Sequence, residues 1–141
     1  MTKKFKHSGT LGDIVYGLAL MKHLGGGEFH LHLGQVDWIT QYYYGGKPNP
    51  YHQGRMTQKD FEFMREFMEA QAYITKFDVL DPATTEITHN LDRFRPLFVK
   101  HPANYTTTYC MAFNIMDPTV QTEVSTGPWL SVPNPKVIEG K

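Results

Sequence analysis

The run Ser8-Gly9-Thr10-Leu11-Gly12-Asp13-Ile14-Val15-Tyr16 constrains the fold more than any other stretch of this chain. A short lysine-rich segment leads into two glycines three apart, and an apolar helix with an acid in its first turn follows at once. Glycines let a strand turn tightly into a helix and let the backbone come close to a ligand. A carboxylate there faces the N–H groups of the helix start, at the mouth of a sheet, where α/β folds bind ligands.

The neighbouring sequence completes a βαβ unit. Residues 3 to 8 read as a strand. Residues 11 to 24 read as a helix, because Leu11, Ile14, Val15, Leu18 and Met21 recur at helical spacing. Gly25-Gly26-Gly27 ends it, since glycine adopts the left-handed cap conformation without penalty. Phe29, Leu31 and Leu33 then alternate with His30 and His32, which predicts a strand with both histidines on a solvated face. Crossovers of this kind are right-handed in ~98% of cases.

Further along, Thr57 and Asp60 form a capping-box variant, opening a helix whose stripe is Phe61, Met64, Phe67 and Met68, with Phe63 widening the buried face. Ile74 to Leu80 and Ile87 to Leu91 read as strands, and Asn104 to Ile115 as a helix. The stretch from Gln35 to Arg55 is irregular and holds Tyr42-Tyr43-Tyr44; long loops in compact domains tend to be functional or mobile. After Asp117-Pro118 the periodicity is lost. The expectation is an α/β fold: a Rossmann-like three-layer domain with a mostly parallel sheet over residues 1–126, then an extended, proline-rich tail or interdomain linker over 127–141.

Fourteen basic side chains balance fourteen acidic ones, giving zero formal charge. That removes the long-range electrostatic case for nucleic acid or an anionic membrane as partner. No apolar run approaches the ~20 residues of a membrane span, and Lys3-Lys4-Phe5-Lys6 lacks the apolar stretch of a signal peptide. Cys110 is the only cysteine, so it has no internal disulfide partner and reads as a small buried apolar residue. Asn104-Tyr105-Thr106 fits a glycosylation sequon, which without a secretion signal carries no weight. These features predict a cytoplasmic protein, or one that is part of a viral or other macromolecular assembly.

The sequence resembles the N-terminal half of a two-domain GT-B glycosyltransferase, similar to the ADP-heptose:lipopolysaccharide heptosyltransferases of glycosyltransferase family 9. The residues that carry the resemblance are Ser8 to Tyr16 after a strand, the glycine-terminated helix, and the segment Asn90-Leu91-Asp92-Arg93-Phe94-Arg95. Pro128-Trp129-Leu130 resembles the lead into the interdomain linker. The resemblance implies one Rossmann-like half of a GT-B fold, presenting the sugar acceptor in an inverting transfer without an obligatory metal or resident cofactor. The nucleotide-sugar donor is then a co-substrate, bound mainly by a second half that these residues lack, so a C-terminal half or other protein subunits are implied as partners. Matched position by position, Asp13 is the general base, and Gly9 and Gly12 let backbone approach substrate. Thr10 stands where an acid or small polar residue is expected, and the helix lacks a proline near Leu18-Ala19.

Elementary chemistry is compatible with two roles for Asp13. A positioned carboxylate removes the proton of a sugar hydroxyl, worth ~10² to 10⁴ in rate. An acid in the first helical turn also stabilises that turn by a few tenths to about 1 kcal/mol. Around it, His7, Gly9, Thr10, Gly12, Arg93 and Arg95 are the candidate substrate-binding residues, the arginines because a guanidinium holds phosphate or carboxylate bidentately. His30 and His32 share a strand face but have no Cys or carboxylate at supporting spacing, so no metal site is predicted. Tyr42 to Tyr44 suit stacking on a sugar or an interface with another chain. Two other functions compete with the enzyme half. One is a non-catalytic structural or binding module reusing the scaffold; the other is a small nucleotide- or sugar-phosphate-binding protein.

Overall fold

The chain alternates strand and helix through β1 (Lys4–His7), α1 (Leu11–His23), β2 (Gly27–Leu31), α2 (Gln58–Glu69), β3 (Ile74–Val79) and β4 (His89–Asn90). A 3-10 turn (Leu91–Arg93), α3 (Tyr105–Ala112) and α4 (Pro118–Thr126) follow. The computed structural model describes residues 2–34, 56–95, 97 and 104–131. The strands form one sheet in the order β3-β2-β1-β4, and every pair is parallel. With helices α1 to α4 flanking the sheet among the described residues, the molecule is an α/β domain consistent with the Rossmann-like architecture that the opening residues predict.

Local chemistry sets the elements. Helix α1 stops where Gly25 and Gly26 take φ values of 96° and 76°. A Cβ on Gly26 would lie 2.1 Å from the Tyr73 carbonyl, so the turn also needs glycine for room. Helix α2 opens on a full capping box: the Thr57 N–H donates to Asp60 Oδ2 at 2.8 Å and the Asp60 N–H to Thr57 Oγ1 at 3.3 Å. Strand register aligns Phe5 with Phe29 and Phe29 with Phe77, so the three rings share one face. Phe61 of α2 stacks on Phe77 at 4.6 Å, while Tyr109 of α3 reaches His7 on the same face. Burying such rings, at roughly 1.5–3 kcal/mol each, supplies the driving force for this core. Cys110 is fully buried within it, as expected, and burial pushes its thiol up.

Several expectations are corrected. His30 lies on the opposite sheet face from Phe29 yet is only 4% exposed, with Nε2 at 2.9 Å from Glu28 Oε1. Strand β2 is interior to the sheet, with Lys6 and Asp78 beside His30 in register on either side, so alternation there does not mark solvent. Burial lowers the His32 pKa, with the Lys6 charge adding to the effect and Asp92 opposing it. Phe63 is 80% exposed and widens no buried face, and Leu11 also faces solvent.

Helix α4 occupies the stretch where periodicity fails. It has one buried residue, Val124, hence no stripe to read. Its signal is at its start, where Asp117 accepts from the Thr119 N–H at 2.9 Å and Pro118 opens the helix.

The described part of the tail, 127–131, is bonded to the domain. Trp129 Nε1 donates to the Val15 carbonyl at 2.8 Å, and Lys22 Nζ donates to the Pro128 carbonyl. The Gln71 amide both donates to the Ser131 carbonyl at 2.9 Å and accepts its N–H at 2.8 Å. The stretch 35–55, with Tyr42 to Tyr44, lies outside the described residues, as does 132–141.

Candidate functional site

Strand order reverses between β1 and β4: β2 and β3 build outward on one side of β1, and β4 joins on the other. Open α/β sheets bind ligands beyond the carboxyl ends of the strands at such a point. Here those ends are His7 and Asn90, and the residues after them meet.

The turn from β1 into α1 is held almost entirely by side chains. Ser8 donates its N–H to Asp92 Oδ1 at 3.0 Å and its hydroxyl to Oδ2 at 2.7 Å. Lys6 Nζ approaches Asp92 Oδ2 to 2.6 Å. Gly9 donates its N–H to His7 Nδ1 at 2.8 Å. Thr10 directs its N–H, at a long 3.4 Å, and its hydroxyl, at 3.2 Å, to Asp13 Oδ2. Each N–H of the loop therefore has an internal acceptor. Burial alone would push the Asp92 carboxyl up, but His7 and then Lys6 together outweigh it and hold that carboxyl well below its ordinary value.

His7 is fully buried. A neutral ring protonated on Nε2 satisfies every partner: Nδ1 accepts from Gly9, and Nε2 donates to Tyr109 Oη at 2.7 Å. The Tyr109 hydroxyl then donates to the Asp13 backbone carbonyl at 2.7 Å. A charged ring would instead turn Nδ1–H toward Asp92 Oδ1, 3.2 Å away, and it is in that charged form that His7 holds the Asp92 carboxyl down. Burial, followed by the nearby Asp13 charge, raises the Tyr109 phenol well above its ordinary value, which keeps it a donor.

Asp13 is 8% exposed and Arg95 7%. Arg95 Nη2 pairs with Asp13 Oδ2, and its guanidinium lies over the Phe94 ring at 4.9 Å. The acid expected at an open mouth is thus largely enclosed. Among the described residues every polar contact of the carboxylate runs through Oδ2. A proton acceptor here works through Oδ1, or after the Arg95 pair opens.

The structure brings His7, Gly9, Thr10, Asp13 and Arg95 together. It leaves Arg93 apart, exposed and lying over the Phe113 ring at 5.1 Å. The two glycines differ in kind. A Cβ on Gly9 would fall 2.7 Å from His7 Cε1 and 2.9 Å from Asp13 Oδ2, whereas one on Gly12 would meet nothing within 4 Å. Gly9 is required by packing; Gly12 borders open space.

Sequence reasoning missed Asp92 and Tyr109. Asp92 had a signal, an acid directly after a strand in the segment from Asn90 to Arg95. Tyr109 had none, because its role depends on α3 folding back onto α1, where a Cβ at Gly17 would be 3.2 Å from its ring. Among the described residues no group of three or more His, Cys, Asp or Glu is placed to hold a metal, and no helix is long and apolar enough to cross a membrane. Fold and site thus define a parallel α/β domain with a buried charged cluster at its switch point. Comparison with protein-family models, curated proteins and solved structures gave no match.

Proposed function

We propose that this chain is the acceptor-side module of an inverting GT-B sugar transferase of the heptosyltransferase kind. Asp13 takes the proton of the acceptor hydroxyl as that oxygen attacks the anomeric carbon, and the nucleoside diphosphate departs with the bonding pair. Donor binding falls to a second Rossmann-like half. One observation carries the reading: the Asp13 carboxylate and the Arg95 guanidinium lie at the switch point of a parallel sheet, beside a glycine that opens onto free space.

The test is sugar transfer, or donor hydrolysis, by the chain alone and with a donor-binding half. Asp13→Asn is expected to lose about 10² to 10⁴ in rate while remaining folded. An unchanged rate removes the base assignment.

A second reading, a non-catalytic structural or binding module, is favoured by the enclosure of Asp13 and by the internal partners of Ser8, Gly9 and Thr10. Absence of transfer in every combination supports it. Those same internal bonds count against a phosphate cradle at this loop, since its donors are already engaged.

A further inference from the structure

Next to the open space at Gly12 stands an aromatic pair that the sequence reading did not single out. Tyr16 lies one turn beyond Gly12 on α1 and is 41% exposed. Its ring stacks on that of Tyr105, the first residue of α3, at 5.1 Å between centroids and 14° between planes. Tyr105 in turn lies 6.1 Å from Phe94, the ring beneath the Arg95 guanidinium. Helical side chains lean toward the N-terminus, so the surface that Tyr16 covers lies over the turn holding Gly12 and Asp13.

We propose that the stacked Tyr16–Tyr105 pair is the platform of a binding subsite for the pyranose ring of the acceptor, seated over the exposed backbone at Gly12. This rests on the sugar-transfer reading above. A tyrosine's π-face is electron-rich, and the C–H face of a pyranose offers weakly positive hydrogens to it. The partner face of Tyr16 is already braced by Tyr105, which holds the ring in one orientation and lowers the entropy lost on binding. A sugar laid there places its hydroxyls beside the Asp13–Arg95 pair.

The experiment titrates the full chain with methyl α-D-mannopyranoside and methyl α-D-glucopyranoside, following backbone amide shifts. At least one probe is expected to shift Gly12, Asp13 and Tyr16. Tyr16→Ala should weaken that binding roughly two- to tenfold, and Tyr16→Phe should leave it close to wild type. Gly12→Ala should weaken it too without lowering the melting temperature, because its methyl enters open space. No shift at these amides with either probe, or equal binding by Tyr16→Ala, overturns the subsite.

A parallel transfer assay separates the two ideas. Binding at Tyr16 without transfer in any combination retains the platform and ends the sugar-transfer reading. Transfer whose KM for the acceptor is unchanged in Tyr16→Ala ends the platform and retains the enzyme.

Discussion

Helices α1 and α2 begin with the same pattern, Thr-x-x-Asp, and the two acids have different fates. Asp60 at the start of α2 is partly exposed and is bonded by its own cap: its carboxyl is held below its ordinary value by the Thr57 N–H first and the Thr57 hydroxyl second, with the neighbouring Lys59 charge adding a little. Asp13 at the start of α1 binds its threonine more loosely, at 3.2 and 3.4 Å against 2.8 Å for both Thr57 donors, and is buried against a guanidinium from 82 residues away. One motif therefore serves as a cap in one helix and as an anchor for a tertiary cluster in the other. Local sequence specifies the cap. What returns from elsewhere in the chain decides whether the acid is anything more.

The sharpest way to break the comparison is Asp13→Ala, which leaves Arg95 buried and unpaired and should cost about 3–5 kcal/mol in urea unfolding. If Asp13→Ala and Asp60→Ala cost the same, the two acids are equivalent caps and the distinction fails. A second arm uses acid. Asp92 has a folded pKa below the unfolded value of about 3.9, so its stabilisation is fully present above that pH and is lost as pH falls through the folded value. The unfolding midpoint of Asp92→Asn should therefore fall less steeply between pH 5 and 2 than that of the wild type.

Gly9→Ala comes next, at about 1–3 kcal/mol, because its methyl meets both His7 and Asp13. Asp60→Ala should cost about 1 kcal/mol, the usual value of a cap. Gly12→Ala is the smallest effect and has the opposite sign: a gain of about 0.5–1 kcal/mol from helix propensity, read as a raised unfolding midpoint.

The same contrast explains what the sequence made legible. The turn into α1, its glycine stop, the Thr57–Asp60 cap and the parallel order rest on contacts between near neighbours or on a pattern with one meaning. Position 13 was readable as a first-turn acid. Its enclosure was not, because Arg95, Tyr109 and Asp92 arrive through chain folding that no spacing encodes. His30 of β2 was misplaced for a related reason: alternation describes which side a residue points to, and only the finished sheet determines whether that side is wet. Helix α4 shows the opposite failure, a clear start at Asp117-Pro118 overlooked because its body carries no stripe.

The contact between Tyr109 and Gly17 has one more consequence. The phenol end of the ring sits against a bare stretch of α1 while its hydroxyl grips a carbonyl of the same helix, so α1 and α3 mesh like a key in a lock cut to a single depth. A bulkier residue at Gly17, a full turn from any group discussed as reactive, would lift α3 and slacken His7 along with it. Remoteness along α1 gives that position no independence from the far end.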